Sequence, residues 1–205
     1  MLDRLPFTIK GFLKIFDPVT KEIFLEKDNA IHYENISVAM ANTLSSRAVG
    51  SVFQMAFGNG GSSIDETGVI TYLPPNTVGQ NATLYNQTYQ KIVDDTSVLN
   101  TDPINNNMTV NHTTGAVYTD IVVLCTLNYG EPSNQSAFDN ATQTTSSYVF
   151  DEIGLLANYG TDANGNQLTQ LLTHVIFHPI QKSLNRQIQI EYTVRIQSLT
   201  NLVTV

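Results

Sequence analysis

A chain of 205 residues with 41% hydrophobic and only 14% charged residues can bury one sizeable core and reads as a single domain over 1–205. Uncharged Asn, Thr, Ser and Gln must then cover much of the surface, which suits a β-rich protein better than a helical bundle. The formal charge of −8 repels phosphate backbones and argues against a direct nucleic-acid partner. The single cysteine, Cys125 in IVVLCTL, excludes an internal disulfide framework, and its apolar neighbours predict a buried, inert thiol. The opening MLDRLPFTIKGFLKIF mixes charged and apolar residues without a secretory pattern. No apolar run approaches the roughly 18 residues of a membrane span, so the expectation is a soluble protein made in a cytoplasm, with no membrane partner.

In chain order, Phe7–Phe16 and Glu22–Glu26 flank Asp17-Pro18-Val19-Thr20, a turn sequence, and predict a hairpin. Ile36, Met40 and Leu44, with Ala39 between them, mark one helical face and predict an α-helix around residues 33–46. Val52–Phe57 predicts a strand that runs into the glycine loop GNGGSS, whose glycines at 58, 60 and 61 suggest φ values that other residues avoid. GVITYL follows as a strand stopped by Pro74-Pro75. Between Gln80 and Thr114 the chain is mostly polar, with TLYNQTYQKIVDD as one strand, while NTDPINNNMTVNHTTG fits either a disordered tract or, from the alternation of Met108 and Val110, a short strand between turns.

YTDIVVLCTLNYG holds a continuous apolar run and predicts a strand buried on both faces. After the polar connection 131–147 come the strand YVFDEIGLLA, the turn dipeptide Asn164-Gly165 and a return through LLTHVIF. A break is expected at HPIQKSLNR, and QIQIEYTVRIQSL alternates as a long half-buried strand. The predicted fold is mainly β: an antiparallel β-sandwich, jelly-roll-like, with one helix packed on it or across an end.

Several motifs invite chemical readings. His174 and His178 have helical metal-ligand spacing, but in a strand four residues advance about 13 Å, too far to share one ion. The metalloprotease pattern also needs Glu where Val175 stands. The glycine loop resembles a phosphate cradle, yet no Gly-Lys-Ser/Thr and no helix follow it. DANGN at 162–166 has its glycine too early for a calcium loop. Asp94-Asp95 and Asp151-Glu152 are neighbours on extended chain, where alternate residues face apart, so neither pair is expected to converge. No Gly-x-Ser-x-Gly elbow supports a serine triad. The Asn-x-Ser/Thr triplets at Asn81, Asn86, Asn107 and Asn140 follow from composition. No catalytic, cofactor-binding or metal residue is assigned, and no cofactor is expected.

NAIHYENISVAMANTLSSR, MAFGNGGSS with GVITYLPPNT, YVFDEIGLL, and LLTHVIFHPIQKSLNRQIQIEYTVRIQ together resemble structural proteins in the virions of tailed bacteriophages. The resemblance covers most of the chain and implies a non-enzymatic β-rich subunit of the neck, collar, tail or baseplate. Such a subunit works as a homo-oligomer or ring against portal, tail, collar or capsid proteins, and it passes from the host cytoplasm into the virion. A capsid decoration protein is the alternative. The chain is short for a receptor-binding fibre and lacks fibre repeats. The polar connections 76–114 and 131–147, and the terminal LVTV, are candidate contact arms. A carbohydrate-binding module is a further alternative, weakened by the absence of Trp.

Overall fold

The computed structural model describes residues 7–132 and 147–198. Asn140, most of the connection 131–147 and the terminal LVTV lie outside the described residues. The strands are β1 (Phe7–Phe16), β2 (Ile23–Asp28), β3 (Ala30–Ile31), β4 (Val52–Gly58), β5 (Ser62–Ile64), β6 (Ile70–Tyr72), β7 (Gln87–Ile92), β8 (Asn107–Asn111), β9 (Tyr118–Leu127), β10 (Ser147–Thr161), β11 (Gln167–Leu171), β12 (Thr173–Ser183) and β13 (Ile188–Ser198). Helix α1 (Tyr33–Leu44) is the one helix among the described residues. The fold is mainly β, and its strands pair as three antiparallel sheets: β2-β1-β13-β9-β8, β3-β12-β10-β4-β7 with β11 added to β10, and the hairpin β5-β6.

Local chemistry accounts for these elements. Asp17 Oδ1 accepts the amides of Val19 at 2.8 Å and Thr20 at 3.0 Å, closing the β1–β2 turn in the way the sequence predicts. The alternation of β13 turns Ile188, Ile190, Tyr192 and Val194 inward between β1 and β9. His32 caps α1 by accepting the Asn35 amide at 3.2 Å, a role usually taken by Ser, Thr, Asp or Asn. Asp162 Oδ1 accepts the amides of Asn164 and Asn166, each at 2.8 Å, and Gly165 has φ +83°. DANGN is therefore a hairpin turn between β10 and β11.

The principal core draws on both large sheets. Leu13, Ile15, Cys125 and Ile190 from one meet Met55, Phe57, Ile153 and Phe177 from the other. Phe150 lies at its centre, with ring centroids 5.5 Å from Phe57, 5.6 Å from Tyr148 and 5.8 Å from Phe177. Helix α1 packs Ile36 and Ala39 against Ile31, Ala157 and Leu172.

Four details differ from the sequence expectation. The doubly buried strand is β10, where Phe150 to Ala157 are all buried, whereas β9 buries Val123, Cys125 and Leu127 and leaves Val122 and Leu124 half-exposed. A continuous apolar run marks β9 because one face of its sheet carries partly covered apolar residues, not because both faces are covered. Leu44, assigned to the buried helical face, is 84% exposed, while Ile36 and Ala39 of that face are buried. No break occurs at HPIQKSLNR until Ser183: β12 runs through Pro179, which a register shift accommodates, Phe150 pairing with Ile180 and Glu152 with Ile176. None of Gly58, Gly60 and Gly61 has positive φ; they are small because neighbouring atoms press on them.

Because Phe150 fills the middle of an aromatic cluster, Phe150→Ala should cost about 3–5 kcal/mol in urea unfolding at neutral pH. A cost below about 1 kcal/mol would show that this cluster does not hold the two sheets together.

Candidate functional site

On an ordinary strand Asp151 and Glu152 would face apart. The irregularity opposite Phe177–Pro179 changes this, since one β10 residue between paired positions faces three on β12, and such bulges re-aim side chains. Both carboxylates reach the glycine loop. Asp151 Oδ1 accepts the Gly61 amide at 3.0 Å, and its Oδ2 accepts the Ser62 amide at 2.7 Å and the Ser62 hydroxyl at 2.6 Å. Glu152 Oε1 accepts the amides of Gly60 at 3.1 Å and Asn86 at 2.8 Å, and Oε2 accepts that of Tyr85 at 2.9 Å. The expectation that this pair does not converge is therefore corrected: both acids converge, on a loop of the same chain.

His174 completes the cluster from β12. Its Nε2 lies 2.9 Å from Glu152 Oε2, and its Nδ1 accepts the Asn76 amide at 2.8 Å. The amide at Nδ1 leaves the proton on Nε2, which donates to the carboxylate. Asp151, Glu152 and His174 are all fully buried. Burial pushes the Asp151 carboxyl above its ordinary range against the pull of the Ser62 and Gly61 donors. Burial opposes ionisation of Glu152 too, but His174 and the amides of Asn86, Tyr85 and Gly60 outweigh it and hold this carboxyl below the ordinary range.

The glycine loop is thus an anion cradle already filled by the protein's own carboxylates. A Cβ on Gly58 would lie 2.4 Å from Glu152 Oε1, and one on Gly60 would lie 2.8 Å from the Asn86 amide nitrogen. Space, not backbone φ, demands glycine here. Both nitrogens of His174 are committed, and Ser62 donates to Asp151 rather than to an imidazole, so these side chains fasten loops to the strands. His178 is exposed on the same strand, with Nδ1 3.1 Å from the Tyr72 hydroxyl. The two histidines serve separate loop contacts. Among the described residues no group of three or more His, Cys, Asp or Glu is placed to hold a metal ion. Asp94 closes its own turn by accepting the amide and hydroxyl of Thr96, and burial pushes the Cys125 thiol up to about 12.

At the far end of β12 lies a second buried charge that the sequence reading missed. Lys182 is fully buried and donates to the carbonyls of Asn128 and Ser183, both at 2.9 Å. Nearby, Lys91 donates to Glu131 at 2.6 Å and to the Thr126 carbonyl at 2.7 Å. Burial lowers the Lys182 ammonium to about 8, with Glu131 opposing and Lys91 assisting. The signal available in the sequence was acids set inside an apolar run, YVFDEIGLL, because buried charges require partners and a glycine loop supplies amides.

Comparison with known proteins gives no relative: no protein-family model, curated protein or solved structure matches the chain.

Replacing Glu152 with Gln turns an NH2 group towards existing donors, and Glu152→Gln should destabilise the fold by about 2–4 kcal/mol at pH 7. A depressed carboxyl contributes stability above its unfolded value, lost as pH falls through the folded one, so the gap between wild type and variant should narrow below about pH 4.5. Urea unfolding at pH 7 and pH 3.5 checks both. Lys182 has the opposite sense: its burial cost is present below pH 8 and relieved as pH rises towards about 10.4. Relative to wild type, Lys182→Met should therefore lose about 1–2 kcal/mol between pH 7 and 9.5; an unchanged difference would show that Lys182 does not titrate in this range.

Proposed function

We propose that the two large sheets form a jelly-roll-like antiparallel sandwich and that the protein is a non-enzymatic structural component of a tailed-phage virion. It would join or stabilise neighbouring rings of the neck, tail or baseplate through homo-oligomeric and heterologous interfaces, after synthesis in the host cytoplasm. The blocks that carry the resemblance, FDEIGLL, LLTHVIF and IQIEYTVRI, are the paired strands β10 and β12 and the central strand β13.

The observation that carries an interface role is the edge strand β8, NMTVN. Among the described residues it ends the five-stranded sheet, with pairing on the β9 side alone. The opposite edge, β2, holds Glu26, Lys27 and Asp28, charges of the kind that blunt edge-to-edge pairing. β8 has no charge, and its Val110 is 71% exposed at the rim of an apolar cavity of about 400 Å³ that Leu44 also lines. An uncharged open edge with apolar flanks suits burial against a neighbour.

Light scattering of the protein alone, and with the portal, tail and capsid proteins of one particle, tests this assignment. The expected result is a mass above the 22.6 kDa of one chain or capture by portal or tail rings, with Val110→Lys weakening either assembly at least tenfold while leaving the melting temperature within a few degrees. Capture by assembled capsid alone would assign the protein to decoration. A monomer that ignores every partner would remove the virion assignment.

A further inference from the structure

We propose that segment 59–86 is an acid-released flap over the six-stranded sheet, with His174 as its release point. This inference stands apart from the assembly role and rests on how the segment is attached. It leaves the sheet after Gly58 and returns at Gln87, and these two residues pair with each other in the β4–β7 ladder. The segment can therefore lift without unpairing a strand of either large sheet. Its underside is pinned by Leu84, buried against Ala56, Leu156 and Leu171.

The polar fastenings come from ionisable side chains to an unusual degree. Glu152 receives the amides of Gly60, Tyr85 and Asn86; Asp151 receives Gly61 and Ser62; His174 receives Asn76. His32 Nε2 contacts the Gly79 carbonyl at 2.9 Å, and His178 contacts the Tyr72 hydroxyl. Asn35 Nδ2 adds a neutral bond to the Gln80 carbonyl at 3.4 Å. Three of the four histidines thus hold one segment.

The release step follows from His174's hydrogen bonds. Its Nδ1 lone pair receives the Asn76 N–H; protonation replaces that lone pair with a second N–H, and two donors then face each other. The groups facing the ring are Glu152 at Nε2, with Asp151 adjacent on β10, Tyr85 at 5.7 Å between ring centroids, and Lys27 and Asp28, which line a cavity of about 100 Å³ with it. Glu152 and Asp28 bring negative charge to the surroundings of the ring, and Lys27 brings positive charge. Glu152, held below the ordinary carboxylate range, keeps its three amides until pH falls further. Burial raises Asp151, and a proton taken up there would compete with the Gly61 and Ser62 donors at the start of the segment. Protonation of His174 therefore removes the Asn76 contact while the amides of Gly60, Tyr85 and Asn86 stay on Glu152 at the two ends of the segment, and because Asn76 Nδ2 donates to the Thr83 carbonyl at 2.8 Å it frees the side of the flap nearest Leu84.

Hydrogen–deuterium exchange at pH 7.5 and 5.0, corrected for intrinsic rates, reads this opening directly. Peptides covering 74–84 should lose at least tenfold protection at pH 5.0 while those covering 188–198 keep theirs. Equal protection at both pH values, or simultaneous loss in both regions, overturns the proposal. His174→Gln retains a donor towards Glu152 but does not titrate, so its 74–84 protection should change less than threefold over the same range. An acid response equal to that of wild type in this variant overturns the assignment to His174, and the wild-type comparison decides the flap itself without any variant having to fold.

Discussion

The burial of two adjacent carboxylates in the middle of β10 is the constraint on which the surrounding architecture depends. An ionised group moved from water into an apolar interior costs several kcal/mol unless donors replace its hydration. Asp151 and Glu152 obtain those donors from the loop after β4, from the chain just before β7 and from His174 on β12. The loop must therefore come close enough for backbone to touch carboxylate, which only glycine allows at 58 and 60. The register irregularity opposite Phe177–Pro179 serves the same requirement by aiming neighbouring residues at one target.

The two large sheets differ in what covers their outward sides. On the six-stranded sheet, Leu84 and the chain on either side of it lie over Ala56, Gly154 and Leu156. On the five-stranded sheet the outward positions carry cross-strand pairs such as Lys14 beside Glu191 and Arg195 beside Asp120, the latter joined by bonds of 2.7 Å. Arg195 also stacks 3.9 Å from the Tyr118 ring centroid. These exposed or half-exposed pairs contribute little to stability individually, but they give a broad sheet face a polar surface, and of that sheet's two edges among the described residues β8 is the uncharged one.

Strand positions were legible where period and turn chemistry agreed. β1, β4, β10 and β13 follow from apolar patterning bounded by Asp-Pro, Gly or Asn-Gly, and α1 follows from Ile36, Ala39 and Met40, whereas β8, short and set in a polar tract, was open between strand and disorder. Burial was less legible because it depends on a strand's place in a sheet: IVVLCTL looks more apolar than FDEIGLLA, yet the second is buried on both sides. The acid cluster was hidden for a related reason. Period-two alternation describes an ideal ladder, and the convergence of Asp151 and Glu152 arises from a departure from that ladder. His174 was correctly separated from His178 by strand geometry, but its partners, 22 residues away at Glu152 and 98 away at Asn76, leave no local sequence trace.

Buried charges at both ends of the β10–β12 pairing also explain why this register is specified so sharply. Lys182 pairs with Tyr148 and Ile176 with Glu152, and the aromatic contacts of Phe150 and Phe177 lie between them. Moving β12 by one residue would turn Phe177 out of the core and take His174 away from Glu152 and Lys182 from the Asn128 carbonyl together. Each of those losses leaves a buried polar group without its partner, a penalty of about 1–3 kcal/mol or more for each. Apolar packing alone tolerates substitution and small slips better than a set of buried charges does. The charges therefore contribute less to the depth of the native state than to its separation from alternative pairings, a distinction that matters for a β-rich protein whose open edge strand is otherwise free to pair out of register.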